Sequence, residues 1–353
     1  MISQGGIPLP AQFRVEEEVM EFYDPRNGWK PIAQKTEVRY CPLTGRTSRL
    51  VPTVGFRVQP PDYRAVVEQT KAAGCPFCSE HVEQVTPKFP AKVCPSGRLR
   101  QGEAVLFPNL FPYGQHSSVI RLTDRHYVPL NEFTEEMLRD GFQLAIQYLH
   151  TLRRIDPGST YLSVNWNYMP VAGASVVHPH IQALATPHPS NYQREMETAA
   201  KAFLKEHGIA YFDWLMEEER RLDQRWIAES DTIAWMHAFA PLGQIDVVGI
   251  CKAVSDLAHV SDRLIVQLCR DLRVILSYLH DQGFGGLNLA WYLPVGSPPG
   301  MSAHVRIIAR TNLGLIGTSE YNYLNALHQE PVCLKKPEET AGEMKKRFEA
   351  DRS

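Results

Sequence analysis

The sequence predicts an α+β fold built from two halves that share one order of elements. Three observations predict it. Short apolar runs with strand character flank long helix-periodic blocks. The order strand, strand, helix, strand, strand occurs twice along the chain, which is the mark of a duplication that residue identity no longer shows. The 353 residues, 44% of them hydrophobic, can bury either two cores or one large duplicated core.

Taken in order, the stretch to about Pro61 is rich in Pro, Gly and Arg, and Arg39-Tyr40-Cys41-Pro42-Leu43-Thr44-Gly45-Arg46 brackets a turn between extended arms or hairpins. Strands are expected at Ala104 to Phe107, Ser118 to Leu122, Tyr161 to Asn165 and Val176 to Ala185. Between the second and third, Thr134 to Leu152 reads as a helix whose Met137, Phe142, Ala145, Ile146 and Leu149 form one apolar stripe. Ser190-Asn191-Tyr192-Gln193 has the form of a capping box opening a helix to about His207, and a charged helical run covers Glu217 to Asp223. The second half follows the first: strands near Thr232 to Phe239 and Asp246 to Cys251, a helix from Ser261 to His280, then strands near Leu287 to Leu293 and His304 to Ala309. The expected units are therefore 1–189 and 190–353.

Composition narrows the function. A net charge of −2, with acids and bases interspersed, argues against a nucleic-acid partner. The N-terminus has neither a basic stretch nor an apolar one, and nowhere does an uncharged apolar run suffice to cross a bilayer, so no membrane partner and a cytoplasmic location are expected. Seven cysteines, few and odd in number, fit a reducing compartment with thiols free or on metal.

The chemistry concentrates in Val176-Val177-His178-Pro179-His180-Ile181-Gln182-Ala183. On a strand His178, His180 and Gln182 would share one face, each roughly 7 Å from the next, while Val177, Pro179 and Ile181 pack on the other. Two imidazoles and a carboxamide so placed can bind a metal, attack an electrophile and hold an oxyanion. Upstream, Cys75-Pro76-Phe77-Cys78 has the spacing that brings two thiolates to one ion. The remaining ligands could come from His81, Cys94, His116, His126 or His178. A redox role is disfavoured, since no βαβ pattern surrounds the motif. A closed Cys2His2 site would be structural and would anchor the reactive strand through one of its own histidines.

These motifs together resemble the galactose-1-phosphate uridylyltransferase branch of the histidine-triad superfamily. The resemblance is carried by Arg39 to Gly45, Cys75 to Cys78, Pro108-Asn109-Leu110-Phe111-Pro112, Thr123-Asp124-Arg125-His126 and Gly173 to Gln182, in matching order across about residues 38 to 186. It implies two histidine-triad-like halves, each an antiparallel sheet with packed helices, the second degenerate. It implies one structural zinc on Cys75, Cys78, His126 and His178, with His180 as nucleophile on the α-phosphorus of a nucleotide. Ser175 and Gln182 would donate to phosphoryl oxygens, Asn167 would orient the site, and Asn109 with Phe111 would contact the nucleoside. Arg57, with Arg46 and Arg49, is a candidate for phosphate contact.

The implied activity is nucleotidyl transfer between a nucleotide sugar and a sugar 1-phosphate, as in galactose metabolism, by a homodimer. The alternative is a nucleotide-sugar or dinucleoside polyphosphate phosphorylase or hydrolase, in which phosphate or water attacks the same nucleotidyl-histidine. A third class is a nucleotide-binding protein without turnover. Two departures bear on the substrate. Leu110 stands where the family has an acid that can hold a ribose diol, and Ser302-Ala303-His304 stands where a second metal site draws on a His-x-His pair, so no second metal is expected. The tail from about Tyr321 to Lys336 matches poorly, with Tyr323, Asn325, Gln329 and Glu330 as candidate replacements for acceptor contacts.

Overall fold

The structure is a computed structural model that describes residues 12–51, 58, 60–313 and 317–352. The chain opens with a long antiparallel hairpin, β1 (Val15–Asp24) and β2 (Lys30–Tyr40), followed by β3 (Thr47–Leu50). Helices α1 (Arg64–Ala72) and α2 (Val82–Val85) bracket the paired cysteines. Then come β4 (Leu99–Gln101), β5 (Ala104–Pro108), β6 (His116–Arg121), α3 (Glu135–Ile155), β7 (Tyr161–Tyr168) and β8 (His180–Thr186). Two helices follow, α4 (Asn191–His207) and α5 (Tyr211–Leu222). The second half contains β9 (Trp226–Glu229), β10 (Ile233–His237), β11 (Asp246–Cys251), α6 (Asp262–Asp281), β12 (Gly286–Leu293) and β13 (His304–Arg310). The chain finishes with β14 (Asn312–Leu313), β15 (Thr318–Ser319), β16 (Val332–Cys333) and α7 (Pro337–Arg352).

Ten strands form one antiparallel sheet in the order β4-β5-β6-β8-β7-β12-β13-β11-β10-β9. Outward from the β7/β12 joint, the first half runs β7, β8, β6, β5, β4 and the second runs β12, β13, β11, β10, β9: one topology used twice, with a long helix inserted at the same point. Each half is thus an antiparallel sheet with packed helices, and the two are zipped edge to edge from Leu162 opposite Leu293 to Tyr168 opposite Leu287. Edge pairing leaves β7 and β12 without open edges, which removes the liability that an unpaired strand carries.

Strand alternation decides what faces where. Trp166, Ile181, Ala183, Leu289, Trp291 and Ile307 join the buried residues of α3 and α6 in one core that spans both halves. Their strand neighbours His180, Gln182, Asn165, Asn167, Asn288 and Arg306 take the opposite face. On that face, α4 and α5 cover the second half with Met196, Phe203, Phe212 and Trp214 against Trp226, Met236 and Ile250. In the first half, the cysteine loop lays Phe77 and Val82 on Val105, Phe107 and Val119.

The reactive strand begins later than the sequence suggested. β8 starts at His180, and residues 176–179 are irregular, so His178 does not share a strand face with His180 and Gln182. Pro179 has no N–H to give to the ladder; its carbonyl still accepts from the Leu122 amide at 3.0 Å. This break frees His178 to turn towards the cysteines.

Candidate active site and metal centre

Cys75, Cys78, His126 and His178 converge, with one ligand atom from each lying within 4.8 Å of all the others, and all four residues are buried. Cys78 Sγ lies 3.5 Å from His126 Nδ1 and 3.7 Å from His178 Nδ1, and Cys75 Sγ lies 3.8 Å from His178 Nδ1. Both imidazoles are held in the tautomer that leaves Nδ1 with its lone pair. His178 Nε2–H donates to the Thr123 carbonyl at 2.7 Å. His126 Nε2–H donates at 3.0 Å to the Thr70 hydroxyl, which gives its own proton to the Val66 carbonyl at 2.7 Å. Such outer contacts orient metal-binding histidines.

The electrostatics agree. Burial lowers the His178 pKa to about 4 and also lowers that of His126, so both rings are neutral near pH 7. Burial, reinforced by the neighbouring Cys75, pushes the Cys78 thiol up to about 12, so a cation must compensate its thiolate. Two thiols and two imidazole nitrogens turned inward, each imidazole satisfied on its far side, suit a tetrahedral thiophilic ion with no open position. A buried Cys2His2 cluster able to bind a metal is therefore present.

Two residues beyond His178, His180 is 7% exposed. Its Nδ1–H donates to the His178 carbonyl at 2.8 Å, which leaves Nε2 unprotonated, and burial lowers its pKa. The ring edge of Phe77, from inside the Cys-Pro-Phe-Cys loop, packs at 5.2 Å between centroids. One short loop thus supplies two thiols to the cluster and also packs against His180. Arg121, buried at the end of β6, ties that loop down by donating to the Phe77 carbonyl at 3.3 Å and the Glu103 carbonyl at 2.7 Å.

Gln182 follows His180 on the same face of β8 and pairs with Asn165 of β7; Asn167 lies two residues further along β7 on that face. Asn109 directly follows β5, where its amide bonds the Ser117 carbonyl at 2.9 Å and its Oδ1 accepts from the Phe111 amide at 3.0 Å; Phe111 is 78% exposed. Ser175 is exposed in the loop before β8. Arg57 lies outside the described residues. Arg46 pairs with Glu195, and Arg49 with Glu18 and Glu330, so both are committed to ion pairs. His116 is held by Asp156 at 2.7 Å, away from the cluster. Sequence reasoning passed over Thr70 and Thr123, because a lone hydroxyl and a backbone carbonyl carry no pattern; Phe77 was legible only as part of its motif.

His304 occupies in β13 the place that His180 occupies in β8, and it repeats the hydrogen bond, Nδ1–H to the carbonyl of Ser302 at 3.0 Å. Its Nε2, unlike that of His180, accepts from the Tyr192 hydroxyl at 3.1 Å, beneath the stacked rings of Tyr192 and Tyr292. The second half thus keeps the histidine and covers it.

The chain matches no protein-family model. It is 30% identical over 334 residues to an uncharacterized protein from Archaeoglobus fulgidus, covering 95% of this chain and 98% of the other. Among solved structures it resembles a GalT-like protein from Arabidopsis thaliana (TM-score 0.67, 19% identity, 88% and 99% of the two chains). It also resembles an ADP-glucose phosphorylase from the same plant (TM-score 0.66, 18% identity, 88% and 98%) and a uridylyltransferase (TM-score 0.65, 18% identity, 89% and 98%). The chain thus belongs to one family with the Archaeoglobus fulgidus protein, and its fold is the one shared by the GalT-like, ADP-glucose phosphorylase and uridylyltransferase structures.

Proposed function

We propose that the protein is a nucleotidyltransferase that works through a covalent nucleotidyl-histidine on His180. The observation that carries this reading is the hydrogen bond from His180 Nδ1–H to the carbonyl of residue 178. It fixes a neutral imidazole with its Nε2 lone pair free, and a proton acceptor is already in place for the positive charge that develops on attack. Nε2 forms a bond to the α-phosphorus of a nucleotide sugar; the bond to the bridging oxygen breaks, and the sugar phosphate leaves with that electron pair. A phosphate oxygen of the acceptor then attacks phosphorus, the N–P bond breaks, and the imidazole is restored. Gln182 and Ser175 are proposed to donate to the nonbridging oxygens, Asn167 to orient them, and Asn109 with Phe111 to hold the nucleoside.

Zinc is the proposed occupant of Cys75, Cys78, His126 and His178. It supplies structural rigidity, pinning the carbonyl of residue 178 against which His180 is aligned. The acceptor is proposed to be a sugar 1-phosphate and the working unit a homodimer.

A second reading, phosphorolysis, draws support from two features. The fold is as close to an ADP-glucose phosphorylase as to a uridylyltransferase. At the nucleoside loop, Leu110 offers no carboxylate to a ribose and is 65% exposed. Product analysis separates the readings. A transferase exchanges labelled sugar 1-phosphate into the nucleotide sugar, whereas a phosphorylase releases nucleoside diphosphate only when orthophosphate is added. Nucleotide binding with neither reaction would favour a noncatalytic binder.

A further inference from the structure

The second half contributes a chain of side-chain hydrogen bonds that ends beside His180. On β12, Asn288 lies directly opposite Asn167 of β7 across the joint. Asn288 Nδ2 donates to Asn167 Oδ1 at 2.7 Å and to the Ala172 carbonyl at 2.9 Å. Its Oδ1 accepts from Arg310 Nη1 of β13 at 2.7 Å, and the Arg310 Nε is paired with the half-buried Glu320. Every polar atom of the Asn288 amide is therefore directed.

The direction matters because an amide has one accepting end and one donating end. With Asn167 Oδ1 engaged by Asn288, its NH2 is the end left over, and it has no partner among the described residues. Asn167 shares the face of β7 that flanks His180 and Gln182. Were the amide turned the other way, an oxygen rather than an N–H would meet an approaching phosphoryl group.

Resting on the nucleotidyl-transfer reading, we infer that Asn288 and Arg310 are positioning residues that hold the Asn167 NH2 as a phosphoryl donor beside His180. The degenerate half thereby sets the polarity of a group in the reactive half. The Glu320 end of the relay lies next to β15, so the segment following that strand is mechanically tied to the site.

Asn288→Asp tests the relay while keeping size and shape. The carboxylate retains the Arg310 contact but cannot donate to Asn167, whose amide then turns its NH2 towards Asp and its oxygen towards phosphorus. Transfer from the nucleotide sugar should fall about 10²-fold in kcat, the cost of losing one preorganised donor, with little change in KM. Asn167→Ala should be impaired to a similar extent, and Asn288→Asp combined with it should be no worse. Wild-type kcat in Asn288→Asp, or losses that multiply in the double variant, would overturn the relay. Side-chain amide NMR of ¹⁵N-asparagine-labelled protein reads the same geometry without turnover. An Asn167 NH2 signal that moves in Asn288→Asp, in a protein that transfers no nucleotide, would sink the transferase reading and leave the relay standing. An unmoved signal would sink the relay alone.

Discussion

At the residue scale, the site rests on tautomers. Each of the three histidines around residues 178–180 spends one ring nitrogen on a fixed oxygen, from Thr123, Thr70 or residue 178, and so leaves the other with its lone pair. Thr70→Val removes the acceptor from His126 Nε2 without changing volume much. Metal affinity measured by chelator competition should fall about 10- to 100-fold, and an unchanged affinity would show that the contact does not orient the ring. His304 gives a pH signature. Burial holds its folded pKa at about 4, below the ordinary 6.5, so the unfolded chain takes up a proton over that interval that the folded protein refuses. Its contribution is therefore complete above about pH 6.5 and is lost as the pH falls towards 4, by about 2 kcal/mol between pH 7 and pH 5. Denaturant unfolding of His304→Gln at those two pH values should show a correspondingly flatter dependence than wild type. Although His178 does not share the strand face expected with His180 and Gln182, the four residues of the buried Cys2His2 cluster were legible in the sequence through their motifs. Asn288 was not: one polar residue in Leu287-Asn288-Leu289-Ala290-Trp291 reads as ordinary strand alternation, and only the register across the joint reveals what it faces.

At the element scale, local signals located α3, α4 and α6, whereas α5 begins at Tyr211 rather than Glu217 and α1, α2 and α7 went unread. The capping box at Ser190 and Gln193 forms, and α4 ends at His207 with Gly208 in the left-handed region, where a residue without a Cβ is unstrained. Thr134 caps α3 through its hydroxyl, which accepts from the Met137 amide at 3.2 Å. Strand ends were harder. The Pro179 break shortens β8, and β9 escaped notice because four residues of Trp226–Glu229 are too few to show a period. β1 and β2 gave no clear pattern, since most of that hairpin is exposed on both faces and no core imposes alternation on it. One glycine is dictated by packing rather than by backbone conformation. A Cβ at Gly249 of β11 would meet the buried Trp235 ring at 2.5 to 2.8 Å, and Trp235 cannot yield freely because its Nε1 donates to the buried Asp271 at 2.8 Å. Gly249→Ala should destabilise the protein by about 1–3 kcal/mol through overpacking, seen as a lower midpoint in denaturant; a neutral result would mean that the ring can shift.

At the scale of the whole molecule, the duplication was legible as a repeated order of elements. The joint was not, because pairing between β7 and β12, more than a hundred residues apart, leaves no trace in local periodicity. We propose that the two units divide at residues 189 and 190, although their sheet and core are continuous. That continuity makes the Cys2His2 cluster a whole-molecule matter, since it joins the loop of residues 75–78 to the segment entering β8, near the centre of the sheet. Elemental analysis should find one zinc per chain, and its removal by chelation should lower the thermal midpoint; an unchanged midpoint would show that the cluster does not bear on the fold. His180 is the group proposed to carry the nucleotide. The most direct test is intact mass after incubation with UDP-, ADP- or GDP-glucose in the absence of acceptor, for wild type and for His180→Gly with matched zinc content. A nucleoside-monophosphate adduct is expected on wild type and absent from the variant; an adduct that persists in His180→Gly, or none on wild type with any donor, would rule out His180 as the nucleophile.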